Sequence, residues 1–339
     1  MKIIDMHCDT ISEILEGKKR GENCGLRRNH LMIDLERLHK SGYLVQNFAL
    51  FVDGKKACNG NFAAVRELIL VFKQEIEKNQ DLIAEVHNVE EIMENERAGR
   101  LSALLTVEEG GVCEGSLSNL QYLHDQGVRM MTLTWNYPNE LGYPNYNENG
   151  DLYVPDIEHG LTQTGILFLE EMERLKMIVD VSHLSDAGFY DVIRFTKNPF
   201  VASHSNARAV CGAARNLSDD MIRKLGERGG VAGLNFSVDF LREHDTGQMY
   251  DARNPENWGL GYASLLDIVR HAKHIAQIGG IECVGLGSDF DGIPPHPELS
   301  GAEGMSLLIE EFKRAGFHES EIDKICYQNA MRVYKDVLG

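Results

Sequence analysis

The residues best suited to chemistry stand at the very start of the chain, where Ile3 and Ile4 lead into His7-Cys8-Asp9. In an extended strand, residues two positions apart point to the same side, so the His7 imidazole and the Asp9 carboxylate could bind one metal ion together. Two hydrogen-bonded polar residues at the end of a strand would leave the same pattern. The pair alone does not separate these two interpretations.

Further candidate ligands follow apolar runs later in the chain. Glu108 ends one run, His183 and His204 end two more, and Asp289 follows the last. Imidazoles combined with carboxylates are the ligand set of zinc and similar divalent ions. Five protein ligands are too many for one catalytic zinc that must also hold a water, but they suit two ions that share a bridging group. The sequence therefore predicts a site for two metal ions.

The residue types suggest how such a site would be divided. We expect one residue pair at each ion and one carboxylate bridge between the ions: His7 with Asp9, His183 with His204, and Glu108. A water shared by the two ions would become hydroxide near neutral pH and attack a carbonyl carbon. The arrangement therefore predicts a hydrolase.

Two positions in this scheme leave alternatives open. Asp289 would take the proton of the nucleophile and pass it to the leaving amine, although an aspartate in a turn can instead cap a backbone amide. Glu109 stands beside Glu108 and is an alternative bridging residue.

These side chains need elements that bring their strand ends together. Eight short apolar runs are predicted strands: Ile3–His7, Tyr43–Val52, Leu101–Glu108, Met130–Trp135, Met177–His183, Phe200–Ser205, Gly230–Phe236 and Cys283–Phe290. Amphipathic patterns predict helices between them and in the tail: Phe62–Asn79, Leu117–Gln126, Thr162–Leu175, Ser185–Phe195, Ser218–Arg228, Ser264–Gly279 and Ser306–Leu338. Near-continuous apolar strands are typical of parallel sheets that are covered on both faces.

This alternation predicts an α/β fold, a (β/α)8 TIM-type barrel of the metal-dependent hydrolase type, whose active site lies at the C-terminal ends of the strands. A doubly wound sheet is the alternative, but no Gly-x-Gly-x-x-Gly motif follows the first strand. No linker or internal repeat interrupts the pattern, so we expect residues 1–339 to form a single catalytic domain.

Two segments are longer than ordinary connections, Gly21–Asp34 and Asn136–Gly160. The second is rich in Asn, Pro, Tyr and Gly and is a candidate lid or substrate-contact loop. The spacing from Asn145 to Asp156 matches an EF-hand calcium loop, but it offers one carboxylate and lacks the glutamate at position twelve. We therefore interpret this segment as a turn-rich loop.

Composition excludes several classes of partner. The 339 residues include 52 Asp and Glu against 34 Lys and Arg, a net charge of −18, which argues against nucleic acid and anionic membranes. No apolar run approaches the roughly 20 residues that span a bilayer, and the N-terminus lacks the basic and apolar regions of a signal peptide. The seven scattered cysteines lack a Cys-x-x-Cys motif, which favours reduced thiols and a cytoplasmic location.

The motifs, taken together and in order, resemble the renal (membrane) dipeptidase family, binuclear zinc barrels related to the amidohydrolases. The matching segments span essentially the whole chain: Asp5–Thr10, Val107-Glu108, Gly127–Thr134, Val181–His183, Ser203–Ala207, Arg215-Asn216 and Gly287–Gly292. The resemblance implies a zinc-dependent dipeptidase with two Zn²⁺ per chain and these ligands: His7, Asp9, Glu108, His183 and His204. It also implies that Asp289 is the acid and base, and that Arg215 grips the C-terminal carboxylate of the dipeptide.

An arginine suits that last task because its guanidinium binds a carboxylate through two parallel hydrogen bonds, although an arginine judged without the family is more often structural. The spacing onward to Gly127 and Thr134 matches the family without a gap if Glu108 is the bridge, which favours it over Glu109. Members are often dimeric, so a second copy of the chain is a candidate partner beside the small peptide substrate.

The chain departs from the family at one position. Animal members carry a substrate-contacting histidine after the Leu-Thr of strand four, where this chain has Trp135-Asn136. The histidine that would polarise the substrate carbonyl is therefore absent. This task is either not performed or is performed by Asn136, Tyr137 or the metal. This leaves the preferred dipeptide open, including tolerance of a D-residue at its C-terminal side.

Two other functions compete with a dipeptidase. A deaminase, lactonase or amidase on the same barrel would typically carry His-x-His on strand one and a carbamylated lysine on strand four. This chain has His-x-Asp, and its fourth predicted strand ends without lysine. A non-catalytic descendant is the second competitor, and the complete ligand set with Asp289 counts against it.

Overall fold

The computed structural model describes residues 1–145, 152–243 and 263–339. Within these ranges the chain forms nine parallel strands: β1 (Ile3–Asp5), β2 (Tyr43–Phe51), β3 (Ile83–Val86), β4 (Leu101–Glu108), β5 (Met130–Thr132), β6 (Ile178–Asp180), β7 (Val201–Ala202), β8 (Val231–Leu234) and β9 (Val284–Leu286). β1 pairs with β2 and β9, β2 pairs with β4, and β4 through β9 each pair with the next strand. Eight strands thus close into the predicted (β/α)8 barrel.

The ninth strand, β3, was not expected from the sequence. It pairs with the first half of β4, from Ile83 opposite Leu101 to Val86 opposite Leu104. β5 takes over the same edge of β4 from Thr106 onward. β3 therefore extends the sheet beside the barrel and does not add a strand to the closed ring.

All eight predicted barrel strands are present, but most end earlier than predicted. β1 ends at Asp5 and not at His7, and β6 ends at Asp180 and not at His183. Pairing continues past β1 only as an isolated bridge between Cys8 and Phe290. Most of the site residues therefore stand in the first turns after the strands, whereas Glu108 is the last residue of β4 and is still paired with its neighbours.

The described ranges contain thirteen α-helices: α1 (Thr10–Lys19), α2 (Leu35–Lys40), α3 (Asn61–Lys78), α4 (Val89–Arg97), α5 (Leu117–Asp125), α6 (Gln163–Arg174), α7 (Asp186–Phe195), α8 (Asp219–Glu227), α9 (Val238–Leu241), α10 (Leu265–Gly279), α11 (Met305–Arg314), α12 (Glu319–Asp323) and α13 (Asn329–Leu338). The predicted helices agree with α3, α5, α6, α7, α8, α10 and the helical tail to within one or two residues at their ends. Side chains cap several of them, for example Ser218, which accepts the Met221 N–H at the start of α8.

The core has two main parts. A large apolar cluster fills the space between the barrel and its helices. A second cluster joins strand residues such as Ile4, Val45 and Leu104 to Tyr334 and Val337 of α13. The end of the barrel at the N-terminal ends of the strands is therefore sealed by apolar packing, and the opposite end is left for the site.

Three other expectations concern the whole chain. All seven cysteines are free thiols. No helix in the described ranges combines the length and apolar character needed to cross a membrane. The single-domain organisation of residues 1–339 stays a prediction.

Candidate metal centre and active site

The five predicted ligand side chains meet at the C-terminal ends of the strands, and all are buried. Glu108 reaches both halves of the group. Its Oε2 lies 3.3 Å from His7 Nε2, and its Oε1 lies 3.0 Å from His183 Nε2 and 3.5 Å from His204 Nε2. Asp9 Oδ2 lies 3.4 Å from His7 Nε2. These contacts bring every predicted ligand into one cluster, with Glu108 in its middle.

The hydrogen bonds around His183 and His204 leave their inner nitrogens as acceptors. His183 Nδ1 lies 3.0 Å from Asn136 Oδ1, which can only accept, so the ring proton belongs on Nδ1. The Nε2 atoms of His183 and His204 are 3.0 Å apart and both face Glu108. Lone pairs and a carboxylate thus face one another at hydrogen-bond distance, an arrangement that a cation satisfies.

Unpaired atoms on the other side of the cluster point to the same chemistry. His7 Nε2 and Asp9 Oδ1 are buried and have no hydrogen-bond partner within the described ranges. Buried polar atoms without partners are rare and costly in native proteins. Among the described residues, three sets of three donors lie close enough to hold an ion. They are His7, Asp9 and Glu108; Glu108, His183 and His204; and His7, His204 and Asp289. The residues therefore fit divalent metal ions.

The pKa values in the cluster reflect burial and the carboxylate at its centre. Burial opposes the charge of Glu108, but the three imidazoles outweigh it and hold the pKa of Glu108 well below its usual range. Burial lowers the pKa of both His183 and His204, which favours the neutral imidazoles that metals bind. Burial and then the charge of Glu108 raise the pKa of Asp9, and the neighbouring His7 opposes this rise.

Glu109 is held away from the cluster. Its backbone is in the left-handed region, with φ of 84°. Its Oε1 accepts the Gly111 N–H at 2.8 Å and the Asn139 side-chain amide at 2.6 Å, and its Oε2 accepts the Trp135 N–H at 2.7 Å. Of the two adjacent carboxylates, Glu108 alone contacts the imidazoles, and Glu109 ties two rim loops together.

Asp289 borders the cluster. Its Oδ1 lies 3.7 Å from His7 Nε2, and its Oδ2 accepts the Asn235 side-chain amide at 2.8 Å. The backbone φ of Asp289 is +63°, which is unfavourable for a residue with a side chain. Asn235, which also donates to the His204 carbonyl, was not singled out from the sequence. The sequence feature that could have identified Asn235 is a polar residue near the end of an apolar strand.

Arg215 lies beside the cluster in the loop after β7 and is buried. Its Nη1 donates to the His204 carbonyl at 2.8 Å, and its Nη2 lies 3.0 Å from His183 Nε2. The guanidinium stands 4.4 Å from the centre of the Phe240 ring, in a cation–π contact. Its Nε has no hydrogen-bond partner among the described residues. A positive group with an unused donor thus borders the site.

A cavity of about 680 Å³ lies over the cluster, lined by ligands, Asp289, Arg215 and Asn136. Trp135 forms part of its wall, packed between Phe51 and Tyr137 at ring distances of 4.8 Å and 5.4 Å. The Tyr137 hydroxyl donates to Asp53, and Tyr137 is not among the lining residues. The substrate contacts expected for Asn136 and Tyr137 stay predictions.

The expected lid, Asn136–Gly160, is described only in part. Asn145 anchors its first half, because its N–H donates to the His183 carbonyl at 2.8 Å and its side-chain amide donates to Asp186 at 2.8 Å. Residues 146–151, which carry most of the EF-hand-like spacing, lie outside the described residues.

Comparison with known proteins decides the family. The model of the membrane dipeptidase family, peptidase family M19, matches residues 1–338. The chain belongs to this family. Among its relatives, the dipeptidase aclJ of Aspergillus oryzae is 30% identical over 318 residues, which cover 90% of this chain and 70% of that protein.

Solved structures of the dipeptidase family are similar over the full length. The dipeptidase AC, a metallopeptidase of family M19, superposes with a TM-score of 0.87 at 25% identity and covers 100% of this chain and 99% of its own. A metallopeptidase from Rhodobacter sphaeroides, liganded with a phosphinate mimic of the dipeptide L-Ala-D-Ala, gives a TM-score of 0.86 at 24% identity, with 99% of both chains covered. The chain is a metallo-dipeptidase with a TIM-barrel fold.

Proposed function

We propose that the protein hydrolyses the peptide bond of free dipeptides with two zinc ions, held by His7 and Asp9 on one side, by His183 and His204 on the other, and by Glu108 between them. The observation that carries this proposal is the position of Glu108. Its two oxygens face different imidazoles, Oε2 facing His7 and Oε1 facing His183 and His204. A carboxylate with one oxygen toward each ligand set is suited to bridge two ions.

The bound ions would polarise the peptide carbonyl and lower the pKa of a water molecule so that it attacks at neutral pH. Asp289 takes the proton that this water loses and gives it to the nitrogen of the leaving amine. Asn235 supports this role, because its amide holds Oδ2 and leaves Oδ1 directed toward His7. A single carboxylate can therefore serve as base and then as acid.

Arg215 orients the substrate by binding its C-terminal carboxylate. The contacts of the guanidinium with the His204 carbonyl and the Phe240 ring hold it in one place, and burial strengthens an ion pair formed there. A carboxylate bound one residue beyond the scissile bond selects dipeptides over longer peptides. Blocked or amidated dipeptides should therefore be poor substrates.

The stereochemistry of the second residue is part of the same proposal. The Rhodobacter sphaeroides protein with the same fold holds an L-Ala-D-Ala mimic. We include L,D-dipeptides among the substrates because Arg215 would hold the carboxylate of either stereoisomer.

Metal analysis combined with a substrate panel tests the proposal. We expect two zinc ions per chain and turnover of L,L- or L,D-dipeptides, both lost with a chelator and restored by zinc. Glu108→Gln is the informative variant, because it keeps the shape of the bridge and removes its charge. It should lower metal content below two per chain.

Two outcomes would contradict the proposal. Fewer than two metals per wild-type chain would overturn the binuclear site. Activity on lactones or nucleobases, with none on any dipeptide, would move the protein to another hydrolase class. Light scattering and fractionation would test the predicted homodimer and cytoplasmic location separately.

A further inference from the structure

A buried hydrogen-bonded carboxylate lies directly beneath the metal centre. Asp180, the last residue of β6, is fully buried and accepts four hydrogen bonds. Its Oδ1 accepts the N–H groups of Ser182 at 3.0 Å and Ser203 at 2.8 Å. Its Oδ2 accepts the hydroxyls of Thr132 and Ser203, both at 2.6 Å. Both carboxylate oxygens are thus used as acceptors.

The Ser203 hydroxyl connects this carboxylate to a metal ligand. A hydroxyl has one proton, and Ser203 gives it to Asp180. The same Oγ lies 2.7 Å from His204 Nδ1, so it must accept there and the ring proton must be on Nδ1. His204 Nε2 then presents its lone pair to Glu108 and His183. A chain of two hydrogen bonds selects the tautomer of His204 that can bind a metal.

We propose that Asp180 is a positioning residue for the metal centre, acting through Ser203 to fix the tautomer and the ring orientation of His204. The inference rests on the proposed role of His204 as a metal ligand. Within the described part of the chain, Asp180 is not among the residues that line the cavity, and its carboxylate accepts hydrogen bonds only from Thr132, Ser182 and Ser203. Partners of this kind typically raise metal affinity 10- to 100-fold by orienting a ligand histidine.

The barrel contains a similar pair, Asp5 and Ser288, in which the hydroxyl contacts no imidazole among the described residues, although Asp5 Oδ1 also accepts the His7 N–H at 3.4 Å. Asp5 accepts the Ser288 N–H at 2.8 Å and the Ser288 hydroxyl at 2.6 Å, which repeats the geometry of Asp180 with Ser203. The remaining contacts of Ser288 Oγ are with backbone atoms, the His7 carbonyl at 3.3 Å and the Phe290 N–H at 3.1 Å. Removing this hydroxyl therefore disturbs the same kind of bond without releasing an imidazole.

The experiment compares Ser203→Ala with Ser288→Ala in the full chain. Zinc affinity is measured by competition with a chromophoric chelator, and the stability of the zinc-free proteins by urea unfolding. We expect the two variants to shift the urea midpoint by similar amounts. Ser203→Ala should bind zinc about 10- to 100-fold more weakly, whereas Ser288→Ala should stay within about threefold of the wild type. Equal zinc affinity of the two variants would overturn the inference.

Two further measurements separate positioning from structural damage. Ser203→Thr keeps the hydroxyl and should recover most of the zinc affinity lost in Ser203→Ala. In the unaltered zinc-free protein, ¹⁵N spectra of the histidine rings, with the His204 signals assigned through His204→Gln, should show a proton on Nδ1. A proton on Nε2 would overturn the inference even if no variant at position 203 folds.

The same data distinguish this inference from the proposed function. If the His204→Gln variant binds zinc as tightly as the wild type, His204 is not a ligand and the proposed site is wrong. If His204→Gln weakens zinc binding and Ser203→Ala does not, the proposed site stands and the role of Asp180 is wrong.

Discussion

The two ends of the barrel are built from the same strands in opposite ways. At the N-terminal ends of the strands, called the lower end below, Val333, Tyr334 and Val337 of α13 pack against apolar residues of the strands. At the C-terminal ends of the strands, called the upper end, His183 and Asp289 have positive φ. Buried atoms of predicted ligands there have no hydrogen-bond partner within the described ranges. Strain and unpaired acceptors reduce stability and are kept where function needs them. Packing at the lower end thus offsets the strain at the upper end. Substitutions at the lower end should therefore change stability, and substitutions at the upper end should change catalysis.

The largest effect is expected from Asp289→Asn at the upper end. The variant removes a proton carrier and keeps the size of the side chain, so kcat should fall roughly 10²- to 10⁴-fold. The metal content should stay at two per chain, and the urea midpoint should stay unchanged or rise. Steady-state kinetics, metal analysis and urea unfolding provide the three readouts.

Asp291→Asn is the matched control, because Asp291 lines the same cavity and accepts hydrogen bonds from Thr10 Oγ1 and the Met32 N–H, but belongs to none of the donor sets found among the described residues. It should retain most of the turnover. Loss of metal in Asp289→Asn would show that Asp289 is a ligand and not a proton carrier.

The next effect is expected at the lower end, in Tyr334→Ala. Tyr334 is fully buried and its hydroxyl donates to Asn47 Oδ1 at 2.8 Å. The lost packing should reduce the free energy of unfolding by about 3–5 kcal/mol, whereas Tyr334→Phe should lose only about 1–3 kcal/mol. Zinc content and kcat/KM per folded molecule should not change. A folded Tyr334→Ala protein without zinc would show that the two ends are not independent.

The upper end was largely predictable from the sequence because its residue types are unusual where they occur. Imidazoles and carboxylates directly after apolar runs identified His7, His183 and His204, and the barrel then required them to meet. Glu108 and Glu109 could not be separated in this way. Contacts from other loops hold Glu109 away, through the Trp135 N–H and the Asn139 amide.

What the sequence did not reveal depends on pairing between distant segments. The bond from Ser203 to Asp180 exists because β6 and β7 align Asp180 with Val201. β3 was missed because it lies outside the closed ring and pairs with part of one strand. α1 was missed although Ile11 and Ile14 are spaced for a helix and are buried. α1 begins directly after Asp9, where the sequence pattern predicts only the end of a strand.

A smaller effect on catalysis is expected from Arg215→Met. The variant removes the charge that would bind the substrate carboxylate, and a charge-assisted hydrogen bond is worth about 1.5–3 kcal/mol. KM for dipeptides should therefore rise roughly 10- to 100-fold, with zinc content unchanged. Arg215→Lys keeps the positive charge but cannot form two parallel hydrogen bonds, so its KM should lie between those of the wild type and Arg215→Met. Equal KM values for a dipeptide and its C-terminal amide in the wild type would contradict this role.

The smallest effect concerns acid stability, and it arises at His271 on α10, in the wall that supports the upper loops. His271 Nδ1 accepts the Ala207 N–H at 3.0 Å and Nε2 lies 3.1 Å from the Leu241 carbonyl, so both nitrogens are used by the neutral ring. Burial lowers the pKa of His271 to about 4, with Asp267 opposing and His274 adding to the shift.

Between pH 6.5 and 4 the unfolded chain therefore binds a proton at His271 that the folded chain does not, and stability falls as the pH falls through this window. Near pH 5 the loss should be roughly 2 kcal/mol relative to pH 7. His271→Gln keeps one acceptor and one donor and cannot take up the proton. Urea unfolding at pH 7 and pH 5 should show a smaller loss in the variant, since the groups at the upper end titrate in both proteins and cancel. An equal loss in the two proteins would show that the acid sensitivity arises at groups other than His271.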